Sequence, residues 1–238
     1  MSSYVKGSTL EKQIQKQLKV WETAKTVTVK AEIPRPFITI SREYGCDAGS
    51  TAAVIAQELN AYEKTDVWQS YERELIDKIV EDHDISEKVI ETIDTIKREE
   101  INEFWRNVLT DYPSQVSVYQ KLVRTVRGLS IHGRAIFVGR AGVMITRNLK
   151  YGLHLRFVAP PSYRIHKIME KAGIRDRLEA EKLVERKDKE RHDFLTQYLK
   201  FEATNPASYD LTINVARVSN EEIAQMVVSL LVKKGFIE

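Results

Sequence analysis

Cysteine is almost absent: Cys46 stands alone among 238 residues. An intramolecular disulfide and a cysteine-rich zinc centre are therefore excluded. The five histidines fall at no ligand-like spacing, which argues against a metal site built on them. No apolar run reaches the roughly 18 residues of a membrane span, so no membrane partner is expected. The first residues lack the apolar core of a signal peptide, and the expectation is a cytoplasmic protein. Excess charge of one sign is lacking too. A net charge of +3 gives no reason to expect a nucleic-acid partner. Neither an internal repeat nor a low-complexity segment is evident. What remains is 42% apolar and 30% charged residues, the composition of a globular chain with a sizeable core. Its length suits one large domain or two small ones.

The most informative stretch runs from Phe37 to Leu59, FITISREYGCDAGSTAAVIAQEL. Phe37, Ile38 and Ile40 are β-prone and follow Pro34 and Pro36, which predicts a buried strand. Gly45 and Gly49 allow a tight turn. Ser50 or Thr51 is the expected cap of a helix whose apolar positions Val54, Ile55 and Leu59 fall at helical spacing. A strand, a glycine turn and a helix N-terminus make an anion site, because unpaired N–H groups and the helix dipole converge there. The spacing from Gly45 to Gly49 is one residue short of a full phosphate loop, and no lysine follows. An ordinary strand-to-helix turn is the other reading of this stretch.

Along the rest of the chain, Leu10, Ile14, Leu18 and Trp21 predict an N-terminal helix, and Thr26–Val29 is β-prone. That helix could cover a sheet face or pair with a second copy in a homo-oligomer; covering is the simpler use. A short second strand is expected over Thr65–Gln69. Helices should follow over Glu72–Asp82, after Ser86, over Lys97–Leu109 and over Val116–Leu129, with a break at Asp111–Ser114. This block is too long for a simple crossover and predicts an inserted helical subdomain. Ala135–Val138 should be a strand, followed by a second glycine turn, Gly139-Arg140-Ala141-Gly142. Leu153–Val158 is the next strand. A helix from about Ser162 stops at Gly173, and a long charged helix covers Arg177–Leu199. Tyr209–Val215 alternates like a strand, and Ser219 with Glu222 forms a capping box for the last helix. Strands alternating with helices predict an α/β fold, a parallel sheet covered on both faces, with ligands at the carboxyl ends of the strands.

Several stretches taken together resemble the cytidylate kinase-like family, a branch of the P-loop nucleoside monophosphate kinases. They are ITISREYG (Ile38–Gly45), YERELIDKIVEDHDIS (Tyr71–Ser86), IFVGRAG (Ile136–Gly142), LRFVAPPSYRIHKIME (Leu155–Glu170), ERKDKERHDF (Glu185–Phe194) and YDLTIN (Tyr209–Asn214), in the family's order. The resemblance implies a three-layer P-loop domain over residues 37–238. It has a helical acceptor-side insert at 70–130 and a helical lid at 175–205; residues 1–36 lie outside it as an N-terminal extension. It also implies ATP and Mg²⁺ as cofactors and a small-molecule nucleotide as substrate, with CMP the first candidate. Gly45, Gly49, Ser50 and Thr51 would cradle the donor phosphates, Ser50 or Thr51 lying near the Mg²⁺, and Arg42 is a further basic candidate. Arg140 would face the acceptor phosphate, and Arg164 could serve nucleotide binding or ordinary pairing. Arg186, Asp188 and Arg191 fall on the equivalent of the lid, where an arginine folds over the transferring phosphoryl group. Asp188 and Arg191 are three apart and share a helix face.

The chain departs from the family at two positions that carry chemistry. Its first turn runs Gly45-Cys46-Asp47-Ala48-Gly49-Ser50, with Asp47 present and no base. Ala141 stands where cytidylate kinases carry an aspartate. Two readings follow: a phosphotransferase, or a degenerate kinase fold that binds a nucleotide and turns over little or nothing. The retained arginines favour the first and the missing base favours the second. Read without the family, the Arg186–Asp188–Arg191 set is a solvated, salt-bridged helix face.

Overall fold

The computed structural model describes residues 34–72, 76–77, 116–139 and 141–238. The chain divides into two compact units, one of residues 36–72 and 134–238, the other drawn from 1–35 and 73–133. Of the latter, the described part is mainly a helix over Val116–His132. The expected N-terminal helix, the Thr26–Val29 strand, most of the helical block before residue 116, and Arg140 lie outside the described residues.

The first unit is an α/β fold built on a parallel sheet of five strands. The strands are β1 (Phe37–Arg42), β2 (Gln69–Tyr71), β3 (Ala135–Val138), β4 (Gly152–Val158) and β5 (Leu211–Asn214). Their order is β2-β3-β1-β4-β5 and every pairing is parallel. Helices α1 (Ala48–Glu63), α3 (Gly142–Thr146), α4 (Pro161–Ala172), α5 (Arg177–Leu199) and α6 (Asn220–Lys233) belong to this unit; α2 is the Val116–His132 helix of the other.

Side-chain alternation explains how the sheet is filled. Ile38 and Ile40 of β1, Ile136 and Val138 of β3, and Leu153, Leu155 and Phe157 of β4 point to one face. They pack there against Ile55 and Leu59 of α1 and Ile223, Val227 and Leu231 of α6. Burying each such side chain contributes about 1.5–3 kcal/mol, so this layer dominates the unit's stability. Thr39, one position out of phase, faces the other side, where the Gly142 end of α3 approaches it. Its hydroxyl lies 2.8 Å from His154 Nδ1 on the adjacent strand, which is its register partner.

Several boundaries differ from expectation for local reasons. The second strand begins at Gln69 rather than Thr65. Lys64 ends α1 in a left-handed conformation, and the Asn60 amide then bonds both the N–H and the carbonyl of Trp68 (2.8 and 3.1 Å), holding the intervening residues in a loop. The strand expected over Tyr209–Val215 pairs only over Leu211–Asn214. Tyr209 instead turns its hydroxyl onto Ser41 and the Ala203 carbonyl (3.2 and 2.9 Å), and Asp210 accepts from the His154 N–H at 2.8 Å. The capping box forms as expected: Ser219 accepts from the Glu222 N–H and Glu222 accepts from the Ser219 N–H. Gly173, at φ 67°, ends α4 as expected.

The order of strands fixes where a ligand can reach. β1 is central, with β3 on one side and β4 on the other. The chain leaves β1 and later returns on opposite sides of it, which opens a crevice beyond its carboxyl end. The loop from Glu43 to Asp47 occupies that position.

Candidate functional site

The chain leaves β1 at Arg42, turns through Gly45 at φ 94° and Asp47 at φ 39°, and enters α1 at Ala48. Gly45 is required by space as well as by φ. A Cβ there would lie 2.8 Å from the Arg164 carbonyl oxygen and 2.9 Å from the Arg164 Cβ, so the loop rests directly on α4. The cap of α1 is Asp47, not Ser50 or Thr51, which fall inside the first turn. The early left-handed residue turns the chain into the helix before those hydroxyls are reached.

Asp47 does not cap in the ordinary way. Its carboxylate accepts nothing from the N–H groups of α1. It accepts instead from the Ser50 hydroxyl at 2.7 Å and from Lys171 Nζ, at the end of α4, at 2.8 Å. Burial acts to raise the Asp47 carboxyl, but the bonds from Lys171 and Ser50 outweigh it and hold it below its ordinary value. The N–H groups of the first turn of α1 thus have no side-chain cap and face the crevice with the positive end of the helix dipole.

Gly49 serves a different purpose. A Cβ at this position would meet the Glu72 carboxylate, with its oxygens 2.6 and 2.7 Å away. Glu72, just past β2, therefore flanks the first turn of α1 where any larger residue would project.

On its other side the loop is bound to α4 and α5. The Tyr44 N–H donates to Asp188 Oδ1 at 2.8 Å. Arg164 bridges the three segments. It pairs with Asp188 and, at 3.4 Å, with Glu43, and it donates to the Tyr44 and Ala159 carbonyls at 3.2 and 3.1 Å. Glu43 also accepts from the Ala159 N–H at 3.2 Å. Arg191 lies with its guanidinium 5.1 Å from the centre of the Tyr44 ring and donates to the Arg42 carbonyl at 3.4 Å.

Arg42 turns its own guanidinium toward the second glycine turn. A Cβ on Gly139, at φ 80°, would fall 1.9 Å from Arg42 Nη1. The structure therefore gathers Arg42, Gly45, Arg164, Asp188 and Arg191 around one loop. Arg186 is exposed and pairs along the helix with Glu190 at 3.8 Å. Ser50 lies at the loop through Asp47. Thr51 is buried at 1% exposure and donates to Asn220 at the start of α6 at 2.7 Å. Arg140 is outside the described residues.

Cys46, inside the loop, is buried. Burial, reinforced by Glu43, pushes its thiol up to about 12, so it stays protonated and unreactive at neutral pH. Among the described residues no group of histidine, cysteine and carboxylate side chains is arranged to hold a metal. No described helix is long and apolar enough to cross a membrane.

Sequence reading missed Lys171 and Glu72 as neighbours of the loop, and Glu43 and Tyr44 as its anchors. Nothing local marks Lys171, which closes a helix 124 residues beyond its partner. Glu43 and Tyr44 lie within a stretch already singled out, and their position at a strand's carboxyl end was the available signal.

Residues 37–217 match the cytidylate kinase-like family. A stretch of 99 residues is 26% identical to the uronate isomerase of Corynebacterium glutamicum, covering 42% of this chain and 19% of that protein. The crystal structure of an uncharacterized protein from Eubacterium ventriosum superposes with a TM-score of 0.64 at 18% identity. It covers 84% of this chain and 99% of its own, a likeness of fold.

Proposed function

Since the chain belongs to the cytidylate kinase-like family, we propose that it transfers a phosphoryl group from ATP to a nucleoside monophosphate or a similar small phosphate acceptor, with CMP the first acceptor to test. The observation that carries this reading is the uncapped N-terminus of α1, set at the carboxyl end of the central strand, with Lys171 on its cap residue and Arg164 and Arg191 on the loop that leads into it, while Arg42 reaches the second glycine turn. Phosphoryl transfer asks little covalent chemistry of a protein. It needs donor and acceptor held in line and negative charge matched by fixed donors.

In this reading the N–H groups at Ala48 and Gly49 receive the donor phosphates. Arg191 folds from α5 over the transferring group, and Asp188 fixes the height of that helix above the loop through the Tyr44 N–H. Arg164 acts through the same anchor, since its donors are engaged by Glu43, Asp188 and two carbonyls. Arg186 is the reserve cation of α5, and Arg140 would meet the acceptor phosphate from the second glycine turn. The residues fit a Mg²⁺ held mainly by phosphate oxygens and water: of the two hydroxyls in the first turn of α1, Ser50 is at the loop while Thr51 is engaged with Asn220. Such an ion would neutralise charge between the phosphates.

One observation favours a second reading, a nucleotide-binding protein with little turnover. Asp47 and Glu72 place carboxylates beside the phosphate position. Like charges at contact distance in a poorly solvated site oppose one another by a few kcal/mol. Calorimetric titration of ATP with Mg²⁺, followed by ADP release in the presence of CMP and other nucleoside monophosphates, separates the two. Acceptor-dependent ADP release supports the kinase; binding without release supports the sensor. An absence of heat at millimolar ATP would overturn both.

A further inference from the structure

The second face of the sheet holds a buried charge that phosphoryl transfer at the first loop does not use. Arg156 of β4 is one position out of phase with Leu155 and Phe157, so it points away from the layer packed on α1 and α6. It is 8% exposed. We propose that Arg156 forms the floor of a second anion site, one that takes the phosphate group of a small molecule. Because α1 packs on the opposite face, occupancy of this site does not depend on the phosphoryl-transfer reading.

Charged side chains are seldom buried this far without a counter-charge, because their lost hydration must be replaced. Arg164 shows the usual solution: its side chain is 11% exposed and pairs with both Glu43 and Asp188. Arg156 pairs with no carboxylate among the described residues. Its Nη1 donates to the Ala203 carbonyl, and the Tyr209 ring centre lies 5.7 Å from its central carbon. The acidic residues flanking those two groups are engaged elsewhere. Asp210 pairs with Lys234 at 3.0 Å and accepts from the His154 N–H at 2.8 Å. Glu202 is exposed and accepts from the Thr204 hydroxyl at 3.0 Å. The positive charge of Arg156 is therefore not neutralised locally.

The unused donors lie where a ligand can reach them. A guanidinium carries five N–H donors in a rigid fork. Those on Nε and Nη2 meet no protein acceptor, yet neither nitrogen is sealed from solvent. Nε–H and Nη2–H run parallel along one edge, the edge that grips an oxyanion with two bonds. Ser41 is the register partner of Arg156 on β1 and shares its face. Tyr209 donates its proton to the Ala203 carbonyl at 2.9 Å, and the Ser41 hydroxyl, 3.2 Å from the Tyr209 oxygen, can turn its own toward a ligand. A third donor from the neighbouring strand suits a phosphate, which has more than two oxygens, better than a carboxylate. The Ala203 carbonyl, accepting from both Arg156 and Tyr209, fixes the fork in place.

The test is a titration of the isotope-labelled full chain with inorganic phosphate at constant ionic strength, followed by nuclear magnetic resonance. The Arg156 Nε–H signal, identified by its loss in Arg156→Lys, reports this site. The Ala48 and Gly49 amides report the start of α1. The Arg156 signal should shift and saturate, CMP should shift it likewise, and cytidine should not. Ser41→Ala, which keeps the reporting signal, should weaken the phosphate dissociation constant ~3-fold or more, the loss of one hydrogen bond. A shift that grows without saturating is screening alone and would overturn the site. A response to cytidine equal to that to CMP would overturn the phosphate assignment, and an unchanged constant in Ser41→Ala would overturn the three-donor geometry. An Arg156 signal that stays still while Ala48 and Gly49 shift would overturn this inference and leave the kinase reading intact.

Discussion

At the residue scale, the two glycines of the first loop look alike in the sequence and are opposites in the structure. Gly45 combines φ 94° with a backbone oxygen 2.8 Å from any added Cβ, and neither the loop nor the helix below it can yield cheaply. Gly45→Ala should cost about 1–3 kcal/mol. Gly49 sits in ordinary helical backbone, and the atoms in its way are the end of a flexible, exposed glutamate. Gly49→Ala should push Glu72 aside and gain up to about 1 kcal/mol from helix propensity. Urea unfolding of the two variants checks the pair. Equal shifts of the same sign would contradict the packing described for the loop.

At the scale of elements, α4 and α5 are joined to the loop by the Glu43–Arg164–Asp188 group, whose side chains are between 11% and 31% exposed. Arg164→Ala leaves both carboxylates facing one another without their cation. The cost should be about 2 kcal/mol, discounted from a fully buried pair because water reaches part of the group. A denaturant midpoint indistinguishable from the native protein's would show that the bridge is decorative. This is also the scale at which the sequence was most legible. The strand from Phe37, the apolar runs at 135–138 and 153–158 and the charged helix over 177–199 all stand in the structure, with Gly152 added at the front of β4. The i, i+3 spacing placed Asp188 and Arg191 on one face of α5, and in the structure both meet the loop, whereas Arg186 is exposed and pairs along the helix. What spacing could not give is contact across the chain. Lys171 and Glu72 reach the loop only because α4 and β2 end beside it, a consequence of strand order. The cap of α1 falls at Asp47 rather than Ser50 or Thr51: residue preference does not separate Asp from Ser at a cap, and the tight left-handed turn at Asp47 starts the helix earlier.

At the scale of the whole molecule, stability should fall on the acid side in two stages. His154 is held below its ordinary value, chiefly by burial and further by Lys234, with Asp210 opposing; Thr39 and Phe37 complete its surroundings. The folded state therefore keeps this ring neutral, while the unfolded chain takes up a proton near pH 6.5. A depressed folded value means the stabilisation is complete above the unfolded pKa and is lost as pH drops from there toward the folded value. Asp47, also depressed, keeps its contribution until pH falls below roughly 4. Thermal midpoints between pH 8 and pH 3 should decline first below about 6.5 and then more steeply. His154→Gln should flatten the upper stage and leave the lower one. A midpoint constant from pH 8 down to pH 5 would rule out the histidine's part.

The bond from the Tyr44 amide to Asp188 makes one proton an observer of a 23-residue helix. That amide can exchange with solvent only when Asp188 lets go, as it must whenever α5 moves off the loop, so a slow exchange rate sets an upper limit on how often that happens. Its exchange rate in deuterated water is thus a ceiling on the opening rate of α5. Followed with and without nucleotide, it would bound that helix's departure without a label, a mutation or an assay of turnover.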